Sequence, residues 1–410
     1  MRIQASDVRF VFGMPGDQPS LAGIPSARKS LIFLIVSAWV TVAVARERGP
    51  RVEVVCPSPP IPVRMDNKEV LAYELHVTNF DVAPLTLKRV EVFANEESGG
   101  PVSSLADDTL TTAMIRIGSP MTMSGNTGGE AKLARVIEPG TRSVIFMWIE
   151  LPSNRAVPVS LKHRMLFSAA GLDGASTTDA TLENFQVPVS HDAAPTLDPP
   201  FRGGTWFAGN GPSNNSDHRR TITAIDGHIH SAERFAIDWI KVGPNGDSRH
   251  DGAAHNENWW GWGEPMLAVG DGEITELVDG IPDNPPRVLP PVTLDNIAGN
   301  HVILKISPNR YVTYAHLQNG SIKVRLHARV RRGDVVALLG NSGNTTGPHL
   351  HLQVTDQNSV LQAEGVPFVF GKFTYLGLGS IYELNKHVSA PWVQSIPFGE
   401  AVVEFEVTKR

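Results

Sequence analysis

The stretch LGNSGNTTGPHLHLQV, residues 339–354, decides the fold of the second half of the chain. Its Gly- and Asn-rich part predicts a tight turn, and the alternation of side chains after the proline predicts a strand. Residues two apart in a strand point to the same face, so His349 and His351 project together. Two such imidazoles can both bind a metal, or one can bind it while the other transfers a proton. Two exposed histidines on an edge strand are the alternative interpretation.

Short alternating segments recur along the rest of the chain, and none has the periodicity of a long helix. In the second half they are residues 273–277, 301–306, 310–314, 335–339 and 349–354. In the first half they are residues 70–80, 87–93 and 142–151. In the first half, this spacing of segments, with turn residues between them, is typical of a β-sandwich, and an immunoglobulin-like sandwich is predicted there. The chain is therefore predicted to be all-β.

A length of 410 residues favours two folded units over one. A segment rich in Pro, Gly and Asn, residues 193–217, is predicted to be the linker between them. The predicted order is a signal peptide or N-terminal anchor at 1–45, a β-sandwich accessory domain at 51–192, the linker, a second β domain at 218–365, and a C-terminal extension at 366–410.

Residues 31–45 (LIFLIVSAWVTVAVA) form an uncharged apolar run that follows Arg28 and Lys29. The run is shorter than the roughly 20 residues of a membrane-spanning helix. It fits the apolar region of a secretory signal, and Ala43-Val44-Ala45 supplies a cleavage pattern. Export is predicted, with the run either removed or kept as an anchor.

The composition restricts the class of partner. A net charge of −6 gives no basic footprint, so nucleic acid is excluded as a partner. The single cysteine, Cys56, rules out an intramolecular disulfide and is predicted to be a buried free thiol.

Residues 339–354 resemble the motif of the lysostaphin/LytM-type zinc endopeptidases, in which a small-Gly-x-(Ser/Thr)-Gly turn leads to Gly-Pro-His-Leu-His and a hydrophobic residue. Four further segments match upstream blocks of that family in the same order: 265–275, 299–304, 312–317 and 330–340. The resemblance covers about residues 218–356. It implies an antiparallel β domain of the duplicated-hybrid-motif type. It also implies hydrolysis of amide bonds in peptidoglycan peptides, in the periplasm or cell envelope of a bacterium.

The resemblance also assigns roles to individual residues. It makes Asp238 and His351 ligands of one Zn²⁺ per chain. It makes His316 and His349 the catalytic histidines that assist the attacking water or stabilise the transition state. These roles are chemically consistent, because carboxylate and neutral imidazole bind Zn²⁺, which lowers the pKa of a water to about 7.

The sequence departs from the family at the first zinc ligand, a histidine four residues before the aspartate. Arg234 occupies that position here, and a guanidinium has no free lone pair for a metal. His230 is the nearest alternative, but eight residues of strand span about 26 Å, so only a bulge or reversal would bring it to Asp238. Further alternatives are His228, His250 and His255.

Arg234 also suggests a different function for the domain. An ion pair between Arg234 and Asp238 would place a fixed cation where zinc is expected. The domain would then be metal-free and would bind peptidoglycan or regulate a cell-wall hydrolase.

Two features outside the motif have open interpretations. Trp259, Trp260 and Trp262 form either a wall of the substrate groove or the core of a packed loop. The sandwich contains no group of candidate catalytic residues and is predicted to contact other envelope proteins. A purely structural envelope protein, which uses the sandwich for such contacts, is a third functional alternative.

Overall fold

The computed structural model describes residues 49–407 apart from 66–67, 95–99, 119–133, 152–155, 171–175, 251, 253 and 381–388. In these residues β-strands dominate, and the α-helices are no longer than six residues. The predicted all-β class is confirmed. The predicted signal or anchor at 1–45 lies outside the described residues. Within the described part, no helix has the length and apolar character needed to cross a membrane.

The first half of the described chain forms two antiparallel sheets of five strands each. Its elements are β1 (Val52–Val55), β2 (Val63–Met65), β3 (Lys68–Asn79), β4 (Leu85–Ala94), β5 (Ser103–Ala106), α1 (Asp107–Thr112), β6 (Met114–Arg116), β7 (Val136–Ile137), β8 (Arg142–Leu151), β9 (Ser160–Ala170) and β10 (Thr177–Pro188). One sheet has the order β1-β3-β8-β6 with β2 beside β3, and the other has the order β10-β9-β4-β5 with β7 beside β4. Side chains of both sheets share one buried core, so they form a sandwich. Its immunoglobulin-like connectivity stays a prediction.

Strand β3 is buried on both faces, which makes it the contact between the two halves of the molecule. Leu71, Tyr73 and Leu75 point into the sandwich core. The alternate residues Val70 and Ala72 belong to the core of the second half. A strand with two buried faces is unusual in a free-standing sandwich, whose outer face contacts water. The outer face of this sheet therefore packs on the second half.

The second half is organised around one eleven-stranded sheet. Its elements are β11 (Thr196–Leu197), β12 (Gly204–Gly209), α2 (Asp217–Arg220), β13 (Thr223–Ile225), β14 (His228–His230), β15 (Ile237–Lys241), a 3₁₀ helix (Asn256–Asn258), β16 (Pro265–Leu267), β17 (Gly272–Val278), β18 (Asn300–Ser307), β19 (Arg310–Leu317), β20 (Arg329–Val330), β21 (Val335–Leu338), β22 (Leu350–Thr355), β23 (Val369–Leu378), β24 (Ala390–Ser395) and β25 (Ala401–Phe405). The sheet order is β11-β23-β25-β12-β15-β22-β19-β18-β17-β20, with β24 beside β23. The pairs β13-β14 and β16-β21 lie apart from it.

The observed sheet extends beyond the predicted boundaries of the second domain. The predicted linker contains β11, β12 and the first residue of α2, and the predicted C-terminal extension contains β23 to β25. The reason is aromatic burial: Trp206 on β12 stacks on Phe201, and Phe405 on β25 contacts Trp239 of β15. The six residues of β12 begin and end with glycine, so the sequence of this central strand is typical of a loop.

Candidate metal and catalytic site

Three adjacent strands bring the predicted site residues together. Asp238 on β15 lies directly opposite His351 on β22. On the other side of β22, Ala315 of β19 is the cross-strand partner of His351. The following residue, His316, has a left-handed backbone with φ +61°. Such a conformation is costly for a non-glycine residue and is concentrated at functional sites.

A third donor comes from outside these strands. His218 lies in α2, and its Nε2 is 3.3 Å from Asp238 Oδ2. On the other carboxylate oxygen, His351 Nδ1 is 3.1 Å from Asp238 Oδ1. One donor atom from each of the three residues falls within 4.8 Å of the others. The structure thus groups two imidazoles around one carboxylate.

Hydrogen bonds fix which nitrogen of each ring faces this group. His218 Nδ1 is 3.1 Å from the carbonyl oxygen of Asn210, which can only accept, so the ring donates there. His351 Nε2 is 2.9 Å from Gln353 Oε1, and the amide nitrogen of Gln353 donates to Val360 O, which orients the amide. His218 Nε2 and His351 Nδ1 are therefore the nitrogens that face Asp238, and they carry the lone pairs when the rings are neutral. Outer partners of this kind orient metal-binding histidines.

Two further imidazoles lie beside the group. His349 donates from Nδ1 to the carbonyl oxygen of Gly347 at 2.8 Å, and its Nε2 is 3.3 Å from Asp238 Oδ1. His316 donates from Nδ1 to the carbonyl oxygen of Ser342 at 2.8 Å. The centroids of these two rings are 4.7 Å apart. Each ring therefore keeps Nε2 as its second nitrogen for another partner.

The Gly-rich turn brings the Ser342 carbonyl to His316 by close backbone packing. Gly343 has φ +83°, and a Cβ there would lie 2.3 Å from the backbone nitrogen of Gly299. Gly299 has φ +61°, and a Cβ there would lie 2.2 Å from the Ser342 oxygen. Only glycine combines this conformation with this approach.

Burial and mutual charge shift the pKa values of the site. Burial alone would lower the pKa of His218, but the charge and hydrogen bond of Asp238 raise it to about 9. Burial would raise the pKa of Asp238, but His218 and His349 hold it well below its usual range. Burial, with His349 and His351 nearby, holds the pKa of His316 well below that of a free imidazole. The carboxylate is therefore ionised, as a metal ligand must be.

The donor set fits zinc. Two histidine nitrogens and one carboxylate oxygen are the ligands of many catalytic zinc sites, which keep a fourth position open. His218, Asp238 and His351 are the residues that would hold the ion. Their side chains are 12%, 12% and 7% exposed, and a cavity of about 660 Å³ opens onto them.

This cavity is lined by both halves of the molecule. His218, His316 and His349 lie in its wall, together with Thr112 and Ile115 of the sandwich. The sandwich therefore contributes to the walls of the cleft, a feature that sequence reasoning did not predict.

The predicted ion pair between Arg234 and Asp238 is wrong. Arg234 is 3% exposed and turns away from the site. Its guanidinium bonds to Glu74 of β3, at 2.7 Å from Nη2 to Oε2, and to Glu364. The guanidinium of Arg234 therefore pairs with two carboxylates outside the site and not with Asp238.

The alternative ligand His230 lies on the β13-β14 hairpin, where its partner ring is His228, and not in the group around Asp238. The tryptophans also lie elsewhere: none of Trp259, Trp260 and Trp262 lines the cleft. Trp259 is 7% exposed, and its ring packs at Gly347, so the packed-loop interpretation describes it.

His218 is the residue that sequence reasoning missed. It lies far outside the four-residue spacing of the family, in a separate element, so no spacing argument could find it. The available signal was indirect: His218 is the first residue of the predicted second domain, directly after the predicted linker.

Comparisons with known proteins match part of this chain. Residues 261–363 match the model of peptidase family M23. The peptidoglycan DD-endopeptidase ShyC of Vibrio cholerae is 34% identical over 92 residues, 22% of this chain and 17% of that protein. An uncharacterized metalloprotease of Buchnera aphidicola is 29% identical over 104 residues, 25% of this chain and 23% of that protein. The matched stretch thus spans about a fifth of the length of these relatives.

Among solved structures, the catalytic domain of the prophage-encoded M23 protein EnpA from Enterococcus faecalis is 20% identical, with a TM-score of 0.23. The match covers 42% of this chain and 93% of that domain. The lysostaphin catalytic domain from Staphylococcus simulans is 19% identical, with a TM-score of 0.22, and covers 38% of this chain and 86% of that domain. The resemblance to lysostaphin/LytM-type peptidases is confirmed by the match of residues 261–363 to the model of peptidase family M23.

Proposed function

We propose that the chain is an exported, zinc-dependent endopeptidase that hydrolyses amide bonds in peptidoglycan peptides. The observation that carries the proposal is the convergence of His218, Asp238 and His351 on one point, in a cleft lined by two further imidazoles. The peptidoglycan substrate is suggested by the names of the relatives, not by the geometry of the cleft.

The residues of the chain divide the work as follows. His218, Asp238 and His351 would hold the Zn²⁺, which when bound would supply Lewis-acid polarisation of the scissile carbonyl and acidify a water. His316 and His349 line the cleft, and each donates from Nδ1 to a backbone carbonyl, so Nε2 is the nitrogen of each ring that remains for proton transfer; in His349 this nitrogen lies 3.3 Å from Asp238 Oδ1. The neutral ring of such a pair accepts the proton of the attacking water at Nε2, and the ring that is protonated on both nitrogens donates from Nε2 to the oxyanion that develops.

The geometry disfavours a metal-free binding domain as the main function. That alternative required a cation from Arg234 at Asp238, and Arg234 bonds to Glu74 and Glu364 instead. The position of His218 beside Asp238 and His351 supports it as the third ligand of a zinc site.

The test uses the full-length purified chain, its metal content, and its action on isolated peptidoglycan. We expect one zinc ion per chain and new amino termini in the muropeptides, detected by mass spectrometry. The Asp238→Asn variant should lose both. Wild-type protein that takes up no zinc after loading, and releases no new termini, would overturn the proposal.

A further inference from the structure

The His218 ligand lies in a segment that cannot hold its own position. Helix α2 has only four residues, too short to be stable without tertiary contacts. It follows a run of turn residues after β12. Contacts made by the side chains next to His218, which point away from the site, must therefore hold the segment in place.

Arg219, the residue after His218, makes most of these contacts. It is fully buried and bonds from Nη1 to Glu74 Oε1 at 2.6 Å. From Nη2 it donates to the carbonyl oxygens of Tyr73 and Met147, each at 3.0 Å. These three partners all belong to β3 and β8 of the sandwich. The next residue, Arg220, donates to Thr112 O of α1, so the whole segment is attached to the sandwich.

Glu74 is the carboxylate that pairs with Arg219 where the segment meets the sandwich. It lies on the face of β3 that points to the second half, and it is 1% exposed. Glu74 also bonds to Arg234, and Glu364 is a second carboxylate that pairs with the positive charge of Arg234. Burial would raise the pKa of Glu74, but Arg234 and Arg219 lower it to about 2, so the side chain is ionised at neutral pH. A buried guanidinium needs such a partner, because desolvation of an unpaired charge is costly.

We propose that Glu74 is a positioning residue for the metal site: it holds Arg219, and thereby keeps the adjacent His218 beside Asp238 and His351. The sandwich is then part of the metal site and not an accessory module alone. This inference rests on the proposed zinc-dependent function, because it treats His218 as a zinc ligand. Outer-shell residues of metal sites contribute about 10- to 100-fold to affinity.

The test measures zinc affinity of the full chain by competition with a chromophoric chelator. We expect Glu74→Gln to weaken zinc binding about 10- to 100-fold, and the absorption spectrum of the Co²⁺-loaded protein to change with the loss of a nitrogen ligand. Glu364→Gln is the matched control. It removes a carboxylate from the same buried network without touching Arg219, and should leave both readouts unchanged.

A double variant separates positioning from general loosening. If Glu74 acts through His218, adding Glu74→Gln to His218→Ala should cause no further loss of zinc affinity. An equal loss in both backgrounds would overturn the proposal, and so would wild-type affinity in Glu74→Gln. If Glu74→Gln fails to fold, Arg219→Met replaces it, because it leaves Glu74 paired with Arg234 and should cause the same loss.

Hydrogen exchange of the metal-free protein distinguishes failure of this inference from failure of the proposed function. The amides of residues 216–221 should exchange faster in Glu74→Gln than in wild type, whether or not zinc binds. Unchanged exchange in this segment refutes the positioning role. If the segment exchanges faster in Glu74→Gln but the wild-type protein takes up no zinc, the positioning role of Glu74 stands and only the zinc-dependent function is refuted.

Discussion

Arg234 provides the sharpest test of how the site is built, because it stands where the family has its first zinc ligand. If position 234 faced the metal, Arg234→His would create or strengthen a zinc site. The structure turns the side chain toward the sandwich, where it bonds to Glu74, Glu364 and the carbonyl oxygen of Gly365. We therefore expect Arg234→His to leave zinc affinity no higher than in wild type, and to destabilise the protein.

The size of the loss follows from the burial of the network. Arg234 is 3% exposed and Glu74 is 1% exposed, so neither charge has water as a substitute partner. Removal of one member of a buried ion pair costs about 3–5 kcal/mol. The shorter imidazole cannot reproduce the bonds that the guanidinium makes to both carboxylates and a carbonyl. With a shift on the order of 2 °C per kcal/mol for a large domain, the melting temperature should fall by roughly 6–10 °C.

The assay combines thermal unfolding of the zinc-free chains with zinc competition. Arg234→Met isolates the loss of charge, and should destabilise the chain about as much as Arg234→His. Lys88→Met is the control, since the Lys88–Asp179 pair is 41% and 52% exposed and such pairs contribute about 0–1 kcal/mol. A gain in zinc affinity on Arg234→His, with the melting temperature preserved, would refute the placement of this side chain.

Three further outcomes can be measured. His316→Ala should lower kcat about 10²- to 10⁴-fold while the chain still takes up one zinc ion, as metal analysis beside kinetics would show; loss of the metal would contradict this role. Gly343→Ala should lower the free energy of unfolding, measured by chemical denaturation, by about 2 kcal/mol or more, because its Cβ would lie 2.3 Å from a backbone nitrogen. Gly227→Ala is the control: at φ +81° with nothing within 4 Å of the Cβ, it should cost only the backbone strain of about 1 kcal/mol. Burial lowers the pKa of His163 to about 4, below its unfolded value of 6.5, so the unfolded chain binds the proton first as the pH falls. The free energy of unfolding should therefore drop by up to about 3 kcal/mol between pH 6.5 and 4. In His163→Gln, the melting temperature should depend less on pH over this range.

Much of the site could be predicted from the sequence because its residues lie on neighbouring strands. The alternation of a strand places His349 and His351 on one face. The antiparallel pairing of β15 with β22 then brings Asp238 opposite His351. Each of these residues lies within a short segment whose pattern is visible without its neighbours. Their catalytic and metal-binding roles remain predictions.

The rest depended on contacts between segments far apart in the chain. Arg234 was expected to pair with Asp238, four residues further along the chain, but its partner Glu74 is 160 residues away. The same holds for β12, whose Gly-flanked sequence is typical of a linker until its neighbours β15 and β25 are known. Local patterns do not contain long-range pairings of this kind.

The two surprises of the structure, Arg234 and His218, have one physical origin. Arg219 and Arg234 share the carboxylate of Glu74, and Glu364 supplies the second negative charge, so two buried cations face two anions. Arg234 thus stabilises the contact between the sandwich and the main sheet from one side of Glu74. On the other side, Arg219 holds the segment that delivers His218. If His218 binds zinc as proposed, an arginine at the expected ligand position is compatible with a three-residue donor set, because the sandwich that binds this arginine also holds the segment of His218.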